Sequence, residues 1–164
     1  MSSHERRPAT PEDLEFLAAL YTENRAPELA AFQASDEDKA RFCRDQFELQ
    51  RAHYTTHCPD ARHEILLIDG SAVGRIWVDW RADEVRLLDV LLSASVRSQG
   101  LGTALLEELM HAARERALPV TLHVEHGNAR AKRLYERLGF RVVRDAGTHA
   151  FLQWTPEDKA SSAG

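Results

Sequence analysis

The chain has 164 residues with 43% apolar and 29% charged residues, enough for one domain that buries roughly 70% of its unfolded surface. A net charge of −5 and a pI near 5.9 argue against nucleic acid as a partner, and nowhere do about 18 consecutive apolar residues offer a membrane span. Two cysteines without paired spacing, Cys43 and Cys58, fit a reducing cytoplasm, and Met1 to Pro8 lack the apolar core of a secretory signal.

Thr10-Pro11-Glu12-Asp13 predicts a helix start: a capping Thr, Pro at the first helical position, then acids in the first turn. Leu14, Leu17, Ala18 and Tyr21 keep helical spacing, and Pro27 is expected to end or break that helix. Ser35-Asp36-Glu37-Asp38 predicts a second helix, with Phe42, Gln46, Leu49 and His53 along one face and Pro59 closing it. A strand-rich block follows. Glu64 to Asp69, a tight turn at Gly70-Ser71, and Val73 to Trp80 read as a β-hairpin. Asp83 turns the chain into a further strand, Glu84 to Leu92.

Leu101 to Ala117 reads as an amphipathic helix burying Leu101, Ala104, Leu105, Leu109, Ala112 and Ala113, with Pro119 as its stop. Val120 to Val124 is a short strand. Ala129 to Leu138 is a helix carrying Ala131, Leu134, Tyr135 and Leu138 on one face, with Gly139 as its C-terminal cap. Phe140–Arg144 and His149–Trp154 pair as a last hairpin around Asp145 to Gly147, and the tail from Thr155 is polar. The order ααβββαβαββ predicts an α/β chain of mixed type: a mixed, mostly antiparallel sheet with helices on both faces. One domain over residues 1–164 is expected, its core about residues 8–154.

The segment from Val96 to Leu106 carries the chemistry. An R-x-x-G-x-G turn between a strand and a helix start suits a phosphate: its glycines let the backbone curl, so several N–H groups meet one anion. A mononucleotide loop needs Lys and Ser or Thr after its last Gly, but Thr103 and Ala104 follow Gly102. A dinucleotide fingerprint needs a third Gly where Leu105 stands. A ligand-free tight turn is the plainer alternative, and a general nucleotide-phosphate binder is another.

Arg97-Ser98-Gln99-Gly100-Leu101-Gly102 resembles motif A of the GNAT acetyltransferase superfamily, and Asn128 to Phe140 resembles its N-x-x-A-x-x-L-Y-x-x-x-G-F signature. The resemblance covers roughly Pro8 to Trp154, with the motifs between Val90 and Phe140. It implies a GNAT-like fold with the sheet splayed between two parallel strands. It also implies acetyl-CoA as co-substrate, docked in the gap between the strands ending at Leu92 and Val124, with no metal. By the same resemblance the backbone of Val90, Leu91 and Leu92 pairs with pantetheine. Arg97, Ser98, Gln99, Gly100, Leu101, Gly102 and Thr103 hold the pyrophosphate, and Asn128 touches the pantetheine arm. Tyr135 is implied as the general acid that protonates the leaving thiolate; read from the residues alone it is a core aromatic.

Three residues are open as the base. His123 and Glu125 share one face of a strand. In the ribosomal-protein acetyltransferases of this superfamily, a Glu five residues before the motif Asn is the base, and His123 holds that place here. Asp89 is a lone acid in an apolar strand, with Arg75 or Arg86 as its alternative role of buried partner. A water-mediated path without a single base is the remaining option. Trp77 and Trp80 are candidate lining for the acceptor or plain sheet packing. Glu23, Glu28, Asp36, Glu37 and Asp38 surround the helix–helix link that lines the acceptor site in the superfamily. His53 and His57 have i, i+4 spacing that suits zinc, with Cys58 and His63 nearby, but no second pair completes a set.

The expected function is therefore transfer of an acetyl group to a primary amine of a small molecule or peptide, in the cytoplasm, without nucleic acid or membrane. Homodimers are frequent in the superfamily. A non-catalytic acyl-CoA-binding or regulatory domain on the same fold is the alternative.

Overall fold

The computed structural model describes residues 4–156. Its strands are β1 (Glu5–Pro8), β2 (Arg62–Ile68), β3 (Ser71–Trp80), β4 (Val85–Leu92), β5 (Val120–Glu125), β6 (Arg141–Asp145) and β7 (His149–Trp154). Its helices are α1 (Leu14–Leu29), α2 (Asp36–His57), α3 (Leu101–Glu115) and α4 (Ala129–Arg137), with short 3₁₀ turns at Pro11–Asp13 and Ala94–Val96. The strands form a seven-stranded sheet in the order β1-β2-β3-β4-β5-β7-β6. β4 and β5 pair in parallel, and β1–β2, β2–β3, β5–β7 and β6–β7 pair antiparallel. No described helix is long and apolar enough to cross a membrane. The polar tail predicted from Thr155 onward lies, beyond residue 156, outside the described residues.

Several sequence expectations need correction. A first strand, β1, precedes the helices. Its Glu-Arg-Arg-Pro has no apolar alternation, and it is a strand because β2 supplies ladder partners from Glu5↔Leu67 to Pro8↔Glu64. Pro27 does not end α1. It sits within the last turn, and the helix closes later with Ala30 N–H on the Ala26 carbonyl at 3.0 Å. A proline there costs one bond near a frayed end, not an interior turn. On α2 the buried stripe is Cys43 and Phe47, while Phe42 and Leu49 are exposed. The helix is rotated so that Phe47 meets Tyr21 of α1 (ring centroids 5.9 Å apart). The first hairpin turns at Asp69-Gly70, both with positive φ (50° and 80°), one residue earlier than expected. Two successive positive φ angles match the twist of the flanking strands.

The chain divides into two compact units. Unit 1 comprises residues up to Val78 together with Asp89–Gln99, and unit 2 comprises Asp79–Leu88 and residues from Gly100 onward. Within unit 1, Leu17, Tyr21 and Leu29 of α1 pack with Cys43 and Phe47 of α2 and Ile65 of β2. Its entry is fixed by Asp13, whose carboxylate takes both Arg7 guanidinium nitrogens at 2.8 Å and the Thr10 backbone N–H at 2.8 Å. Gly74 of β3 lies so close to the end of β4 that an added Cβ would stand 2.5 Å from the Leu91 carbonyl oxygen.

Within unit 2, α3 buries Leu101, Leu105, Leu106, Leu109, Met110 and Ala113. β5 buries Val120, Leu122 and Val124, and β7 buries Ala150, Leu152 and Trp154, each at the period of two that a half-covered sheet requires. On the opposite β5 face Thr121 is buried, while His123 and Glu125 are exposed. Gly139 follows α4 at φ 105°, where an added Cβ would stand 3.4 Å from Trp154 Cδ1.

Candidate active site

In unit 1, β4 runs out at Leu92 and the chain turns toward α3. That turn is tied down from α1. Asn24 Nδ2 donates to the Leu92 carbonyl at 3.3 Å, and a Glu23 carboxylate oxygen accepts the Ala94 N–H. Arg97 Nε donates to the Leu92 carbonyl at 3.2 Å, and its guanidinium lies 3.6 Å from Glu23. Glu23, one of the acids named around the helix–helix link, makes its contacts to this turn. Asn24 was not singled out in the sequence, because 68 residues separate it from its partner. Ser98 takes a left-handed φ of 63°, and Gln99 Nε2 donates to the Ser95 carbonyl at 2.9 Å.

Asp89 is the partner of Arg75. Arg75 is fully buried, and one of its terminal nitrogens donates to Gln50 Oε1 at 2.6 Å and to Asp89 Oδ2. Trp77, near it on β3, is buried between His63 (stacked, ring centroids 4.0 Å apart) and Tyr54 (edge-on, 4.9 Å). Its role as sheet packing is thus accounted for. Burial pushes the His63 imidazole down to about 4, with Arg75 adding to the effect. His53 and His57 stack on each other, with His57 Nδ1 3.0 Å from the His53 carbonyl oxygen.

In unit 2, α3 opens at Gly100, whose φ of 83° makes it a left-handed N-cap. Nothing lies within 4 Å of the place a Cβ would take, so the backbone angle and not space selects glycine. The first α3 bond to the cap is Ala104 N–H on the Gly100 carbonyl at 3.0 Å. Helix geometry therefore leaves the N–H groups of Leu101, Gly102 and Thr103 without a partner inside the helix, beside its positive end. Residues 100–103 thus have what an anion site needs.

Asn128 caps α4: its side-chain oxygen accepts the Ala131 N–H at 3.2 Å. Tyr135 is buried on that helix, edge-on to Phe140 (5.7 Å). On β5, His123 packs on Phe151 of β7 (4.9 Å), and Arg86 and Arg144 lie over the same Phe151 ring. Partial desolvation first, then the charges of Arg86, His149 and Arg144, lower the His123 pKa. Glu125 lies 3.8 Å from His149 Nε2 and is half exposed. Trp80 is covered by the Arg116 guanidinium at 4.6 Å.

The parallel register of β4 with β5 covers Val85↔Val120 to Leu87↔Leu122. β4 continues to Leu92 and β5 to Glu125. Residues 17–140 of the chain match the model of the acetyltransferase (GNAT) family. The chain belongs to the GNAT family.

Among relatives of this GNAT chain is the 5-NmdU N-acetyltransferase of Pseudomonas phage PaMx11, 35% identical over 78 residues. That match covers 45% of this chain and 54% of the phage protein, so it spans about half the length of that relative. Two solved structures show the same fold. The PaiA N-acetyltransferase of Thermoplasma acidophilum, in complex with coenzyme A, aligns over 93% of this chain and 99% of its own at TM-score 0.72 and 22% identity. The ribosomal-protein-S18-alanine N-acetyltransferase of Escherichia coli aligns over 95% and 96% at TM-score 0.62 and 22% identity.

Proposed function

We propose that this GNAT chain is an acetyl-CoA-dependent N-acetyltransferase acting on a primary amine. The observation that carries the reading is the start of α3, where the left-handed Gly100 cap turns the chain into a helix whose first backbone N–H groups are left unpaired, as a diphosphate requires. In this reading Gln99 to Thr103 take the pyrophosphate, and the backbone of Val90, Leu91 and Leu92 takes the pantetheine amides. Arg97, already engaged with Glu23 and Leu92, serves to shape the loop. The acyltransferase named for the phage relative and the two structural neighbours act on amines by their names, which supports an amine acceptor here.

The chemistry needs a neutral amine, a proton for sulfur and good placement. An aliphatic ammonium has a pKa of about 10.4, so it must lose a proton before attack. Of the three base candidates, His123 is favoured. Its lowered pKa keeps the imidazole neutral at pH 7 and able to accept. Asp89 is already engaged by the Arg75 guanidinium. Glu125 stands two residues along the same exposed face and can relay the proton to solvent. The amine nitrogen bonds to the acetyl carbon as the carbon–sulfur bond breaks, and the nitrogen gives up its second proton to solvent to leave the neutral amide. Tyr135 gives its phenolic proton to the sulfur and regains one from solvent. The test is a library of primary amines incubated with acetyl-CoA and assayed for free thiol. An amine-dependent release with acetylated product is expected. Tight acetyl-CoA binding with no release for any amine would favour the non-catalytic alternative.

A further inference from the structure

Arg75 is a costly residue to bury in unit 1. It is 0% exposed in the middle of β3. Removing a guanidinium from water costs several kcal/mol, and an apolar residue of similar volume is often the more stable choice. Its surroundings repay that cost incompletely. Phe47 and Trp77 rings flank it at 5.9 and 5.7 Å, and one terminal nitrogen serves both Gln50 and Asp89. Its Nε and its other terminal nitrogen have no partner. An arginine kept only to satisfy a buried acid would be expected to grip it with two parallel bonds. Here Arg75 holds a single oxygen, Oδ2, of Asp89.

The pair is also lopsided. Arg75 contributes nothing to the surface, whereas the Asp89 side chain is 19% exposed. What solvent meets is a carboxylate, fixed from behind by a cation it cannot reach. Asp89 directly precedes Val90, Leu91 and Leu92, the strand end assigned above to the thioester arm. Two phenols, Tyr21 of α1 and Tyr54 of α2, feel the Asp89 charge, and their pKa values rise chiefly through burial. They stay neutral at any working pH, and Asp89 supplies the carboxyl group of the cluster.

We infer that Arg75 is a positioning residue: braced by Gln50, it holds Asp89 so that its free oxygen receives the ammonium group of the acceptor. This rests on the acetyl-transfer reading and narrows it to acceptors that arrive as cations. Asp89 binds and orients the ammonium, and the proton leaves later through another group.

The probe is n-butylammonium, with n-butanol as its neutral match, titrated into protein carrying ¹³C-labelled aspartate carboxyls. The Asp89 signal, assigned by its loss in Asp89→Asn, should move saturably with butylammonium and stay still with butanol. In Arg75→Gln the apparent affinity should fall at least about tenfold, the scale of one lost charge-assisted contact. Arg75→Lys should recover part of it, and Gln50→Leu should weaken binding while leaving Arg75 in place. A merely structural Arg75 would lower the melting temperature of these variants without changing affinity per folded molecule, and that result overturns the inference. So does an equal response to butanol, or no response in the parent protein. Should Arg75→Gln not fold, Gln50→Leu decides: unchanged affinity there refutes the bracing. Acetyl-CoA binding is measured on the same samples. Its absence beside an intact butylammonium response would refute the transfer reading and leave Arg75's role standing.

Discussion

Replacing Gly74 by alanine tests how closely the end of β4 is held. The new Cβ would meet the Leu91 carbonyl oxygen at 2.5 Å, where ordinary contact starts at 3.4 Å, and would also press on Leu92 Cδ2 at 3.0 Å. Neither the backbone oxygen nor the strand can swing aside as a flexible side chain would. The two strands must part by about 0.9 Å, the difference between those distances. Overpacking of this kind costs about 1–3 kcal/mol. At roughly 2–4 °C per kcal/mol for a chain of this size, the melting temperature should fall by about 2–12 °C. The displaced atoms belong to the residues assigned to pantetheine. Acetyl-CoA affinity should therefore drop, and kcat/KM should fall by up to about 100-fold, the scale of an ångström misplacement. Differential scanning calorimetry and calorimetric titration with acetyl-CoA measure both. A Gly74→Ala protein with unchanged melting temperature and unchanged acetyl-CoA affinity would refute the close-approach reasoning.

Tyr135→Phe should leave acetyl-CoA binding intact and lower kcat by about 10²–10⁴, read by thiol release under saturating co-substrate. His123→Gln should remove the acid limb of the kcat/KM profile. In the parent protein that limb falls as pH drops through a value below the usual histidine pKa of about 6.5, since the imidazole must be neutral to accept a proton. His63 titrates at about 4 when folded and higher when unfolded, so the unfolded chain binds more protons between those values. Stability measured by denaturant unfolding should therefore decline as pH falls from about 6.5 toward 4, and His63→Gln should flatten that slope. Asp13, held well below the usual carboxylate range chiefly by its hydrogen bonds to Arg7, adds a further loss as pH falls below about 4, which Asp13→Asn should abolish.

The sequence disclosed the parts whose signals are local. Gly100 before an amphipathic run and Asn128 before another are caps whose chemistry is written in adjacent residues. β1 was hidden because Glu5 to Pro8 become a strand through pairing with β2, not through their own pattern. Pro27 misled because a proline in the last turn gives up little. The α2 face was misjudged because Phe42 and Cys43 are neighbours. One residue of rotation decides which of them meets α1. At the candidate site, the motif residues carry local spacing signals. The bracing does not: Glu23 and Asn24 hold the 92–97 turn across nearly half the chain, and no spacing rule reports such contacts. The pairing of Asp89 with Arg75 was one of two choices that charge alone allowed, and burial of β3 selected it.

The most direct test is amide-resolved NMR of the protein titrated with acetyl-CoA and, separately, with ATP. Backbone N–H signals of Gln99 to Thr103 should move first and furthest with acetyl-CoA, saturating together, and Gly100→Ala should suppress the response. Movement confined to other residues, or none with acetyl-CoA while ATP binds, would contradict the assignment of this helix start to the diphosphate of a thioester carrier.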